Sequence, residues 1–190
     1  MVKASANGVA ANRQWQTERL LIRRFRQDDL EGLYELQRDP LATEFIGGVW
    51  TLEKTREMLP AIIASYEKSD LSWLAVTARR DGTFLGVCWI GPLSQKMCDA
   101  MGSGPHVELG YRYVRRHWGH GYATEAGHAM LRRGFVEVGL TQIVAVTYPE
   151  NIASSRVLTK LGMTYASTFS ADDRAIDLYE LNRDDYLRRA

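Results

Sequence analysis

The sequence predicts a single domain of mixed α/β class (α+β in its strand arrangement), and three observations predict it. An extended segment, Val107 to Val114, runs through a glycine-punctuated turn into a helical segment, Ala123 to Val138. Two apolar runs, Ser72 to Arg79 and Phe84 to Gly91, flank Asp81-Gly82, a pair that favours a tight hairpin turn. A continuous β-branched run, Thr141 to Thr147, leads into an Asn-capped helical segment, as expected of a buried central strand followed by a crossover. At 190 residues one domain is expected, with enough chain to bury a core.

The elements follow in order. Residues 1–14 open with a small, polar stretch, Met1 to Asn12, and are expected to be a disordered leader before a domain spanning 15–190. Leu20 to Phe25 reads as a first strand. Asp28 or Asp29 can cap a helix through about Arg38, with Leu30, Leu33, Tyr34 and Leu36 as its apolar positions. Pro40 is expected to stop it. Thr51 caps a second helix to about Lys68, interrupted near Pro60. After the hairpin, Pro92 to Pro105 reads as a loop, and Val107 to Val114 as the fourth strand. Gly139 suits the left-handed end of the next helix. Asn151 caps the helix after that, and Gly162 closes it. Met163 to Phe169 and Ile176 to Asn182 are two closing strands, joined across Asp172-Asp173.

Composition narrows the function. Hydrophobic content of 45% with 25% charged residues is that of a folded globular chain rather than a disordered one. A net charge of +1 gives no bulk attraction to nucleic acid or membrane, and neither is expected as a partner. No apolar run is long enough to span a bilayer. Cys88 and Cys98 lack metal-ligand spacing, so no metal is expected; two unpaired cysteines suit a reducing, cytoplasmic setting. Cys88 lies in an apolar strand and reads as a buried thiol.

Arg116-His117-Trp118-Gly119-His120-Gly121-Tyr122-Ala123 carries the chemistry. Such a turn points successive backbone N–H groups outward at the positive end of a helix dipole, where phosphate binds. Glycine is needed because a Cβ would hold phosphate oxygens off the backbone. An ATP-type loop requires Lys-Ser/Thr after its second glycine, and Tyr122-Ala123 stands there. A dinucleotide fingerprint requires a further small residue at Thr124 and an acid where Thr141 to Ile143 lie. The remaining pattern is Arg/Gln-x-x-Gly-x-Gly/Ala. It resembles the acyl-CoA pyrophosphate loop of the GNAT acetyltransferase superfamily.

Three further segments resemble the same superfamily. Asn151 to Met163 is similar to its second motif, Asn-x-x-Ser-x-x-x-Leu-x-Lys-x-Gly-Phe, with Met163 in place of the usual aromatic. Thr17 to Arg23 resembles the first strand of the subgroup that acetylates ribosomal-protein N-termini (alanine or serine), and Val107 to Tyr111 its fourth strand. Together these span 17 to about 182, in order.

The resemblance implies a twisted, mostly antiparallel central sheet flanked by helices, with one parallel strand pair splayed where acyl-CoA inserts. It implies acetyl-CoA as co-substrate, held by main chain at Tyr111, Arg112 and Tyr113. The loop N–H groups of Trp118, Gly119, His120, Gly121, Tyr122 and Ala123 would take the pyrophosphate, with Arg116 adding charge. Asn151 and Ser154 would contact the cofactor from the next helix. Transfer to an amine requires a base for the ammonium, a donor for the carbonyl oxygen and a donor for the leaving thiolate. Glu108 is the candidate base, acting through water, against the alternative of a surface carboxylate. Ser154 is the candidate thiolate donor, against the alternative of a residue that satisfies helix backbone. Many relatives place a tyrosine where this chain has Leu158, which cannot donate. His117 and His120 read as bordering phosphate or solvent.

The acceptor region is built, by resemblance, from Glu44, Phe45, Trp50, the Met97 to Gly104 segment and the Asp172-Asp173 turn, with Trp73 and Trp89 read as core. A protein N-terminal amine, an amino acid, a polyamine and an antibiotic amine all remain open, as do monomer and homodimer. Two function classes stand side by side: an N-acetyltransferase working by direct transfer in a ternary complex, and a catalytically weak CoA-binding or sensing protein of the same fold.

Overall fold

Asp81-Gly82 makes the expected hairpin: Gly82 takes φ +75°, and Ala78 N donates to Thr83 O at 2.8 Å. The computed structural model, which describes residues 13–69 and 71–189, builds an eight-stranded sheet around this hairpin. Its strands are β1 (Gln14–Gln16), β2 (Leu20–Arg23), β3 (Trp73–Ala78), β4 (Phe84–Pro92), β5 (Val107–Tyr113), β6 (Gln142–Thr147), β7 (Thr164–Ala171) and β8 (Arg174–Asn182). Their spatial order is β1-β2-β3-β4-β5-β6-β8-β7. Every neighbour pair is antiparallel except β5 and β6, which run parallel.

The helices are α1 (Leu30–Arg38), α2 (Pro40–Thr43), α3 (Leu52–Ser65), α4 (Gln95–Met101), α5 (Tyr122–Arg132), α6 (Ile152–Lys160) and α7 (Arg183–Arg189). A π-helical stretch, Arg133–Val138, extends α5 to Gly139, whose φ of +79° gives the expected left-handed end. α5 packs on β2, β4 and β5. Its Ala126, Met130, Leu131 and Phe135 share one buried cluster with Ile22, Val76, Cys88, Ile90, Leu109 and Ile143. Each large apolar side chain in that cluster contributes roughly 1.5–3 kcal/mol on burial.

Several expectations need correction. The strand β1 includes Gln14, which the leader reading covers; residues 1–12 lie outside the described ones. Pro60 does not interrupt α3: it and Arg56 are both exposed, so the carbonyl that loses its amide partner faces water. That helix ends at Ser65 rather than near Lys68. Pro40 ends α1 but also starts α2, where Asp39 caps through Leu41 N at 3.0 Å. The supposed loop after β4 holds α4, capped by Ser94 and closed by Gly102 at φ +65°. The helix α7 was not anticipated. Asp172 and Asp173 turn the closing hairpin with φ +51° and +58°, a conformation these short polar side chains tolerate.

Asp29 sits where a capping residue was expected, but its carboxylate is used elsewhere. It accepts Arg23 Nη1 at 2.7 Å and Nη2 at 2.8 Å, and Arg26 N at 2.7 Å. The pair is buried, and the Asp29 hydrogen bond is the main reason the Arg23 pKa is raised. Asp29→Ala leaves a guanidinium buried without its partner. Its expected cost is about 3–5 kcal/mol of folding stability, measured by urea unfolding.

Candidate active site

β5 is zipped to β4 at every position from Val107 to Tyr113, whereas its register with β6 is confined to Glu108↔Val144. Beyond that pair the two parallel strands part, as the splayed-pair expectation required. A cavity of about 250 Å³ lies in the gap, lined by Glu108 to Tyr111 on one side and Ala145 to Tyr148 on the other. Asn151, Ser154 and Leu158 close it from α6, and Phe45, Trp89 and Met97 from elsewhere.

At one end of β5 the chain turns through Arg115–His117 and reaches the phosphate-type loop. Gly119 and Gly121 take φ +77° and +80°, and a Cβ on Gly119 would meet nothing within 4 Å, so the loop faces open space. α5 starts at Tyr122 with no side chain capping it. Its first-turn N–H groups are therefore free for an anion, at the positive end of the dipole. Carbonyls around the loop are engaged by side chains. Trp118 Nε1 donates to Tyr113 O at 2.7 Å, and Tyr113 Oη to Tyr122 O at 3.2 Å. Arg19, an unassigned residue of the amino-terminal motif, donates to His120 O at 2.9 Å and Glu125 Oε2 at 2.7 Å. Its guanidinium lies 4.8 Å from the centre of the Tyr122 ring. Glu125 also accepts from Thr17 Oγ1 and Arg19 N. The Glu125 pKa is lowered because these hydrogen bonds outweigh its burial, the largest single influence, which acts upward.

The remaining loop side chains divide. Trp118 and His120 are exposed, and Ala123 lies within the first turn of α5. The Arg116 guanidinium is engaged by Glu35 on α1, so its charge at the loop is partly neutralised. His117 is half-buried and its pKa is lowered, first by desolvation and then by Arg116, which keeps it neutral near pH 7. Arg112 turns away from the cofactor gap. Its guanidinium is buried 5.4 Å from the Trp73 ring, and burial pushes its pKa down to about 10.

Inside the cavity, Glu108 is half-buried and accepts from Trp89 Nε1 at 3.1 Å. Burial raises its pKa, and the tryptophan bond partly offsets the rise. A carboxylate so placed is a stronger base than one in water. Trp89 reaches it because Gly110 has no side chain: a Cβ there would lie 2.0 Å from the indole. Trp89 thus packs against the core, as expected, and is also a wall of the site. It stacks on Trp73 at 5.3 Å, which stacks on Trp50 at 6.4 Å. Opposite, Asn151 Oδ1 caps α6 through Ser154 N at 3.1 Å. Tyr111 Oη lies 3.1 Å from Ser154 Oγ and donates to Ser154 O at 3.1 Å. Leu158 is buried, at 1% exposure. Glu108, Tyr111, Asn151 and Ser154 therefore meet in one cavity, with the loop at the far end of the same strand. The contact between Tyr111 and Ser154 escaped the sequence, as did the Arg19–Glu125 brace.

The profile of the acetyltransferase (GNAT) domain matches residues 19–164 of this chain. The chain belongs to the GNAT acetyltransferase family. It is an acetyl-CoA-dependent acyltransferase. The Bacillus subtilis protein YkkB, itself uncharacterised, is 33% identical over 165 residues, covering 86% of this chain and 92% of YkkB. A GNAT acetyltransferase from Bacillus anthracis superposes with a TM-score of 0.77 at 26% identity, over 90% of this chain and 99% of that one. A ribosomal L7/L12 α-N-protein acetyltransferase, RimL, solved with coenzyme A, gives a TM-score of 0.72 at 14% identity, over 89% and 97%. Among the described residues no helix is long and apolar enough to cross a membrane, and no group of three His, Cys, Asp or Glu could hold a metal.

Gly121→Val puts a branched side chain into a left-handed conformation at the mouth of the loop. The strain alone is of order 1–3 kcal/mol. Calorimetric titration of the folded variant with CoA is expected to show affinity reduced by about tenfold or more.

Proposed function

We propose that this chain moves the acetyl group of acetyl-CoA directly to a primary amine, with both substrates bound together. The observation that carries the reading is the convergence of a raised-pKa carboxylate, Glu108, and a hydroxyl, Ser154, on one cavity between splayed strands. The gap-facing backbone of Tyr111 to Tyr113 suits a pantetheine arm laid alongside as an extra strand. The N–H groups of Trp118 to Ala123 suit its pyrophosphate. Acetyl-CoA supplies an activated thioester, and the residues of this chain do the rest.

Glu108 takes a proton from the incoming ammonium, directly or through a water, and leaves a neutral nucleophile. Main-chain N–H groups near Leu109 to Tyr111 stabilise charge on the carbonyl oxygen. Ser154 hydrogen-bonds the departing sulfur. The Glu108 pathway sets a pH dependence with a definite sign. The base must be ionised, and its pKa lies above the ordinary carboxylate value, so activity falls as pH drops through that raised pKa.

The lining also supports a kind of acceptor. Among the described residues lining the cavity Glu108 is the one carboxylate, and Phe45, Ile46, Leu93, Met97 and Tyr148 supply apolar surface beside the polar Ser94, Thr147, Asn151 and Ser154. The outer face of Tyr148 is covered by Arg174, 3.7 Å from the ring. A single amine with an apolar portion fits this lining, and a polycation finds no second acid in it. A protein N-terminus with an apolar first residue and a small apolar amine both satisfy it. Leu158 favours a second reading, a CoA-binding protein without turnover, because it removes the hydroxyl that many relatives use at that position.

Thermal-shift titration with acetyl-CoA, CoA, ATP and NAD, followed by thiol release across an amine panel, separates these readings. Stabilisation by acetyl-CoA and CoA alone, with thiol release, supports transfer; stabilisation without release supports the binding protein. Apolar monoamines are expected to show higher kcat/KM than spermidine or aminoglycosides. Glu108→Gln is expected to lower kcat by about 10²–10⁴-fold and to flatten the acid limb of the pH–rate profile, with acetyl-CoA affinity retained. An acid limb that persists in that variant removes Glu108 as the base.

A further inference from the structure

Two hydroxyls face each other in the cavity from elements 43 residues apart in sequence, Tyr111 on β5 and Ser154 on α6. Neither is needed for helix capping. The Ser154 amide is already satisfied by Asn151 Oδ1 at 3.1 Å, so the Ser154 hydroxyl is not consumed by its own backbone. Tyr111 Oη has two acceptors within reach, Ser154 Oγ and Ser154 O, both at 3.1 Å. The single phenol proton serves one of them at a time: given to the carbonyl, it leaves Ser154 able to donate to the tyrosine; given to Oγ, it directs the serine proton away from the tyrosine. Both side chains line the cavity in which the thioester would sit.

We propose that Tyr111 is a positioning residue for acetyl transfer: its hydroxyl holds Ser154 Oγ so that the serine proton is presented to the sulfur of acetyl-CoA. The inference rests on the acetyltransferase reading above. It gives this chain, from the neighbouring strand, the hydroxyl that Leu158 does not supply. Burial raises the pKa of the Tyr111 phenol far above that of the ordinary group, with the Ser154 bond acting the other way, so the tyrosine stays protonated throughout the cycle. No proton leaves either hydroxyl. As the C–N bond forms, the C–S bond breaks and its electron pair goes to sulfur. The amine nitrogen loses its protons to Glu108 and then to solvent. Ser154 hydrogen-bonds the thiolate, which takes a proton from solvent after release. The Tyr111–Ser154 pair lowers the energy of that thiolate by donation alone.

The test follows bound CoA itself, so it needs no identified acceptor. The ultraviolet absorbance of the CoA thiolate is titrated against pH in complexes with the wild-type chain, Tyr111→Phe, Ser154→Ala and the double variant. CoA affinity is measured for each by calorimetry, and kcat is measured with whichever amine supports thiol release. The wild-type complex is expected to titrate below free CoA. Tyr111→Phe keeps the ring and is expected to move the thiol pKa back toward the free value and to cut kcat about tenfold, with CoA affinity retained. Because the two residues act as one unit, the double variant is expected to be no worse than Ser154→Ala alone. A Tyr111→Phe protein with wild-type thiol pKa and kcat, even one of lower melting temperature, makes the contact merely structural and overturns the inference. Independent, additive losses in the double variant overturn it as well. A wild-type chain that neither binds CoA nor releases thiol with any amine overturns the transfer reading and this inference together. Wild-type turnover with an unaltered Tyr111→Phe variant removes only the latter.

Discussion

One parallel contact, Glu108 against Val144, governs the whole molecule. On one side, β5 is committed to β4 along its entire length; on the other, β6 is committed to β8 from Gln142 to Thr147. Each half of the sheet is zipped internally, and the halves touch in register at a single pair. Sheet twist then carries the free ends apart, because neither strand can bend toward the other without surrendering its outer ladder. The cavity is a necessary product of that geometry. So is the exposure of main-chain groups along β5, an arrangement a continuous sheet would not permit.

The loop at the end of β5 shows how charge is arranged around this seam. An uncapped helix start and two left-handed glycines leave amides outward. Arg19 and Tyr113 engage the His120 and Tyr122 carbonyls, and Trp118 ties the loop back to the end of β5 through Tyr113 O. Arg116, the obvious cation, is engaged by Glu35. The attraction for phosphate therefore comes chiefly from oriented peptide dipoles, which are fixed in direction and cost no side-chain ordering. Inside the seam the logic is reversed. Glu108 is partly desolvated and given one donor, Trp89, which leaves it basic without leaving it unpaired.

Much of this was legible in the residues because the signals are local. Gly119 and Gly121 announce the loop, Asp81-Gly82 the hairpin, and Asn151 and Gly162 the ends of α6. The misses have physical causes. The helix α4 hides in a stretch rich in Gly, Ser and Pro, although Ser94 and Gly102 were its capping signals. Pro60 looked like a break because the cost of a lost helix bond depends on whether the freed carbonyl is wet, which is a tertiary fact. Asp29 looked like a cap because nothing local reveals that Arg23 claims its carboxylate. The second role of Trp89, at the site as well as against the core, was hidden because its access to Glu108 depends on the missing side chain of Gly110 on the next strand. The reach of Tyr111 to Ser154 spans two elements and has no sequence signature at all.

The fit of Trp89 over Gly110 also bears on how the site can be altered, in nature or by design. The two positions form a lock in which a large ring on one strand presupposes a bare backbone on its neighbour. Any single enlargement at 110 evicts the indole, and any single reduction at 89 uncovers the Glu108 carboxylate. Routes to new acceptor preferences that pass through either position alone therefore run through a damaged intermediate. Diversity at this wall is to be sought in paired changes at 89 and 110, or at Phe45, Met97 and Tyr148, which carry no such interdependence with the base.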